Sequence, residues 1–148
     1  MAHPELPLQH PHAIWYPGTA PANFRKLAGR LQERWRQPEV STPCVIGTEQ
    51  AGAAFSGHGG RAPQDSEVTH DVHLAAVYLL MRRELPTRAA SWVGEAALPV
   101  GQGIKVPDAL VRDGRQRTAI EFGGSYDHAK LSDFHGYCES QGWGYELW

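Results

Sequence analysis

The chain has 148 residues, 41% of them hydrophobic, with a formal net charge of −2 and two cysteines. That length suits one domain, or one domain with an N-terminal extension, and that apolar fraction suffices for a modest core. The charge argues against a protein that holds nucleic acid or acidic lipid by bulk positive charge, and no apolar run approaches the ~20 residues of a membrane span. Cys44 and Cys138 lie far apart without metal-type spacing, so they read as buried small hydrophobes in a reducing compartment. The start, Met1-Ala2-His3-Pro4-Glu5, lacks the basic and apolar regions of a signal peptide, and a cytoplasmic protein is expected.

The first 21 residues carry Pro4, Pro7, Pro11, Pro17 and Pro21 among scattered histidines, which predicts an extended arm. A helix is expected over 22–36, where Phe24, Leu27, Leu31 and Trp35 recur at helical spacing. Arg25, Lys26, Arg30, Arg34 and Arg36 fill much of its remaining surface. This basic stripe is either an ordinary solvated face or a phosphate-facing helix. Residues 45–60 hold a short candidate strand, and the stretch to Ser66 has the composition of a loop. The chain therefore divides near residue 66, into an arm with its basic helix (1–66) and a second unit (67–148).

Thr69 can cap a helix over 71–84, with Asp71 in its first turn and Arg82 and Arg83 in its last. Val72, Ala75, Ala76, Leu79 and Leu80 form its apolar stripe, and Pro86 stops it. Strands are expected over 91–98, 106–111 and 117–122, with a hairpin turn at Asp113-Gly114. A helix over 126–140 follows, with Leu131, Phe134, Tyr137 and Cys138 inward, and Gly144–Trp148 makes a short last strand. The order is helix, three strands, helix, strand, and the last strand–helix–strand unit should be a right-handed parallel crossover.

Three acids fall on consecutive expected strands. Asp108 starts the second and Glu121 ends the third, so a hairpin turning at Asp113-Gly114 brings the two together. Adjacent carboxylates need a counter-charge, and oxygen donors suit Mg²⁺ or Mn²⁺. Glu95 on the first strand shares an apolar face with Val93 and Ala97 by alternation, which asks for a partner there too.

Pro107-Asp108 followed by Glu121 resembles the signature of the PD-(D/E)xK nuclease superfamily, and the order of elements over about 69–148 is similar to its core. Several features look more narrowly like plasmid replication-relaxation proteins and related nuclease-like domains of mobile elements. These are His70-Asp71 opening a helix, Trp92 with Glu95, Pro107-Asp108-Ala109, Ile120-Glu121, and Lys130-Leu131. The resemblance implies an α/β fold with an αβββαβ restriction-endonuclease-like core behind an N-terminal helical or irregular extension. It implies Mg²⁺ (or Mn²⁺) held by Asp108 and Glu121, with the backbone carbonyl of Phe122 as an extra ligand and Glu95 assisting. The family's lysine does not stand two residues after Glu121, where this chain has Gly123. Some members carry it on the following helix, which gives that role to Lys130.

Each residue also has a plainer reading. Asp108 can simply begin a strand, Glu121 can face water on an edge, and Glu95 and Lys130 can be surface residues. His70 and His73 lack a third zinc ligand, so His70 is expected to cap a helix or contact phosphate near the site. Gly123-Gly124 can admit a phosphate or simply turn the chain, and Tyr126 can contact DNA or pack. Trp92, Phe122, Tyr145 and Trp148 are expected in the core or at its rim. The expectation is a metal-dependent nuclease-like domain acting on DNA, more than RNA, without a membrane and with a homodimer or protein partner open. A second class is a nuclease-fold module that binds DNA or protein without cleaving. A third is a small enzyme or toxin-like effector of another kind.

Overall fold

The computed structural model describes residues 24–35, 50, 64–98, 106–124 and 126–148. The expected Pro-rich arm, the candidate strand within 45–60 and Cys44 lie outside the described residues. In chain order the elements are α1 (Phe24–Trp35), α2 (Asp65–Glu84), α3 (Pro86–Ala89), β1 (Val93–Gly94), β2 (Ala109–Asp113), β3 (Gln116–Glu121), α4 (His128–Ser140) and β4 (Gly144–Leu147). The four strands make one mixed sheet in the order β1-β2-β3-β4. β1–β2 and β2–β3 are antiparallel and β3–β4 is parallel. The fold is α/β.

Strand alternation explains the layering. Leu110, Ala119, Tyr145 and Leu147 point to one face of the sheet, where they pack with Leu27, Ala28 and Leu31 of α1 and Leu131, Phe134 and Cys138 of α4. Ala109, Val111, Ile120 and Trp148 point to the other, against Val77 and Met81 of α2 and Ala89 of α3. Helices thus cover both faces, as a sheet with a parallel crossover requires. The basic helix belongs to the same core as the sheet, through Leu27 and Leu31. The expected burial of Tyr145 and Trp148 holds, with Trp92 and Phe122 packed partly buried at the rim.

Two local readings need correction, and a third, the stop at Pro86, holds with an addition. α2 starts at Asp65, so the stretch before Ser66 is not all loop and Thr69 is no cap; instead Glu67 accepts the Gln64 N–H at 2.8 Å. A Glu three residues into a helix can satisfy an orphan donor as well as Thr69 would. The strand over 91–98 shrinks to Val93–Gly94 and then turns into a 3-10 segment, Glu95–Ala97. Glu and Ala are poor strand formers, and β1 has only two paired residues to hold them. Finally, Pro86 ends one helix and begins the next, because a first helical position needs no N–H.

Of the apolar stripe expected on α2, Leu80 packs partly buried on the sheet side, but Val72, Ala75, Ala76 and Leu79 do not face the sheet. Val77 and Met81 are buried, whereas Ala75 and Ala76 are exposed and Val72 and Leu79 are 44% and 61% exposed.

On the α2–α3 face the sheet also buries charge. Arg88 of α3 places Nε 3.0 Å from Asp113 and Nη1 2.8 Å from Glu146. Thr118 donates its hydroxyl to Asp113 at 3.2 Å. Burial pushes the Glu146 carboxyl above its usual range, and Arg88 works against that shift. No sequence motif marks this triad, since its members lie on three distant elements.

Candidate functional site

The turn at Asp113-Gly114 forms as expected. Asp113 pairs with Gln116, and Gly114 takes the left-handed conformation, φ 62°, that the short loop requires. The register that follows pairs Ala109 with Ile120, which sets Asp108 opposite Glu121 one step further. Pro107, buried just ahead, fixes the approach of the chain.

Both carboxylates are withdrawn from solvent: Glu121 is 2% and Asp108 9% exposed. They are laced to each other's backbone. The Asp108 N–H points to Glu121 Oε2 at 3.3 Å, and the Phe122 N–H donates to Asp108 Oδ2 at 2.7 Å. The Asp108 carbonyl accepts the Glu95 N–H at 2.9 Å, tying the third acid's backbone to the same corner. Glu95 itself is exposed, and so are Val93 and Ala97, so the apolar face predicted for it does not exist. The 3-10 turn ends the alternation on which that reading stood. Its charge still reaches the site and helps to raise the Tyr126 hydroxyl.

Tyr126 packs partly buried against the core and has a further role there. Its hydroxyl donates to Glu121 Oε1. Burial, then the Glu121 charge, holds that hydroxyl far above its ordinary value, so it remains a donor at any physiological pH. The turn that carries it closes with the Tyr126 N–H on the Gly123 carbonyl at 2.7 Å. α1 braces the turn from outside, where Gln32 Nε2 approaches the Tyr126 carbonyl at 3.4 Å. A methyl group on Gly123 would meet the end of the Leu31 side chain at 2.9 Å, so α1 packs closely here and any larger residue requires the buried Leu31 to shift. Gly123→Ala should therefore destabilise the fold by about 1–3 kcal/mol, read by urea unfolding. Wild-type stability in that variant would contradict the close packing.

Lys130 stands in the first turn of α4, which Asp127 caps by accepting the Lys130 N–H at 2.9 Å. Its side chain is exposed, yet Nζ lies 5.6 Å from the centre of the Tyr126 ring, within cation–π range. The lysine thus sits beside the tyrosine that holds Glu121. Phe122 turns its ring to the other face of the sheet, where His73 stacks on it with centroids 4.8 Å apart.

The residue whose role sequence reading missed is His70. From α2 it sets Nε2 3.2 Å from Asp108 Oδ2. That hydrogen bond, with the Asp108 charge, raises its pKa to about 9 although burial opposes the rise. The imidazolium is the counter-charge that a pair of buried acids needs. The His70-Asp71 pair, expected at a helix start but lying inside α2, marked the region, and only the packing of α2 could pair His70 with Asp108.

His70 makes stability depend on pH. Its folded-state value, about 9, lies above the ordinary 6.5, so the pair's contribution is complete below pH 6.5 and is lost as pH rises through 9. In urea unfolding, the stability gap between wild type and His70→Ala should narrow across that window. Parallel profiles would contradict the pair.

Among the described residues no three His, Cys, Asp or Glu side chains are already gathered in a metal-holding arrangement. Asp108 and Glu121 nevertheless offer two carboxylates at one place, which with water is a common donor set for Mg²⁺. No family model, curated protein or solved structure matches the chain. Among the described residues no helix is long and apolar enough to cross a membrane.

Proposed function

We propose that the domain is a metal-dependent nuclease-like unit of PD-(D/E)xK type that acts on DNA phosphodiesters, as in plasmid or mobile-element replication. The observation that carries this reading is the opposition of Asp108 and Glu121 at the end of the β2–β3 hairpin, inside an α/β sheet whose fourth strand returns parallel. A divalent cation, Mg²⁺ or Mn²⁺, would when bound supply Lewis acidity toward a phosphodiester and toward water. Asp108 and Glu121 would hold it, with the Phe122 backbone carbonyl as the extra ligand that the resemblance implies. The Phe122 N–H fixes the orientation of Asp108 and the Tyr126 hydroxyl that of Glu121, so the pair is held in place before the cation arrives. Lys130, beside Tyr126, supplies positive charge toward the scissile phosphate. Glu95, exposed at the rim, acts through charge rather than as a buried ligand.

The exposed position of Lys130 and the glycine at 123 favour a second reading, a module of this fold that binds DNA or a protein without cleaving it. Plasmid cleavage in Mg²⁺ or Mn²⁺ separates the two. Nicking by wild type and none by Lys130→Ala supports catalysis with the lysine displaced onto α4. Absence of nicking by wild type in either metal favours the binding module.

A further inference from the structure

A helix that covers a sheet ordinarily turns its apolar stripe inward. α2 has two apolar faces, and the second is open. Val68, Val72, Ala75 and Leu79 recur at steps of four, three and four residues, the spacing of a helix–helix seam. Val68 is half-buried and Ala75 exposed, while Val72 and Leu79 are 44% and 61% exposed. Val77 and Met81 already anchor the opposite side to the sheet, so the outer face is not needed for this fold.

We propose that this face pairs with the same face of a second copy, with the two α2 helices antiparallel and crossing at Ala75 and Ala76. Charge selects this occupant. α2 carries Glu67 and Asp71 in its N-terminal half, and in its last turn Arg82 and Arg83, of which Arg83 is already paired with Glu84 at 2.6 Å, leaving Arg82 as the cation beside the seam. Parallel pairing would set acid beside acid and base beside base. The antiparallel two-fold arrangement sets Asp71 of one copy near Arg82 of the other, twice over, because both lie on the same flank of the seam. Asp71 is 71% exposed with its Oδ1 3.3 Å from His70 Nδ1, so pairing across the seam exchanges that contact for one to Arg82 of the second copy. In this register Val72 meets Leu79 of the second copy, and the two alanines at the centre allow close approach of the backbones. The pairing stands on its own and does not depend on the nuclease reading.

Sedimentation velocity on the full chain, over a concentration series, tests it. Wild type should form a dimer that dissociates in the micromolar range. Leu79→Glu should weaken association about tenfold or more while leaving the circular dichroism spectrum unchanged, because Leu79 lies outside the core. Asp71→Arg should weaken it about fivefold, and Asp71→Arg combined with Arg82→Asp should restore it, since the exchanged charges meet again only in an antiparallel pair. A monomer at every concentration overturns the proposal. So does a dimer indifferent to Leu79→Glu, and so does a double variant no tighter than Asp71→Arg.

Discussion

Replacing Arg88 by methionine should destabilise the protein by about 3–5 kcal/mol. Arg88 is 6% exposed and is the cation between Asp113 and Glu146, and Glu146 is fully buried. Without the guanidinium, two acids lose their counter-charge inside the α2–α3 face, and a domain of this kind has only about 5–15 kcal/mol in total. The loss should depend on pH in a definite direction. Glu146 already titrates above its ordinary 4.5 because of burial, and Arg88 restrains that rise. In the variant it should hold a proton in the folded state that the unfolded chain releases. The deficit should therefore be small near pH 5 and grow as pH rises. Adding Glu146→Gln should recover part of the stability. Urea unfolding across pH reads all three; a loss in Arg88→Met that is the same at pH 5 and pH 8 would contradict this account of the triad.

The second large effect concerns chemistry. Asp108→Ala should reduce cleavage by about 10³-fold or more, because it removes the side chain on which metal and phosphate would converge. The same substitution also leaves His70 and the Phe122 N–H without their acceptor. Asp108→Asn is the better comparison, since it keeps an oxygen for Phe122 and removes only the charge. Both variants should be inactive if the carboxylate binds a cation. If Asp108→Asn cleaves like wild type, Asp108 is a structural acid that closes the hairpin.

What could be read in the sequence follows from the range of the interactions involved. The Asp113-Gly114 turn is local chemistry, and once it is placed the two-residue alternation of the strands sets Asp108 against Glu121. α4 and its inward Leu131, Phe134 and Cys138 follow from helical spacing, whereas its cap, Asp127, emerges only from the structure. Glu95 was misplaced because alternation assumes that a strand persists, and a two-residue edge strand does not carry one that far. The stripe on α2 was visible, but spacing cannot say which of two apolar faces meets the sheet; Val77 and Met81 do. His70, Tyr126 and the Arg88 triad were hidden for a common reason. Each role is a pairing between distant segments, and a single sequence contains no record of which segments meet.

The central claim is that Asp108 and Glu121 form a divalent cation site. Calorimetric titration of Mn²⁺ into wild type and into the Asp108→Ala, Glu121→Ala double variant tests it most directly. Saturable binding at micromolar to millimolar concentrations in wild type, lost in the double variant while circular dichroism shows that variant folded, is the result expected. Absence of binding in wild type, or equal binding in both proteins, would make the two acids structural and would contradict the site.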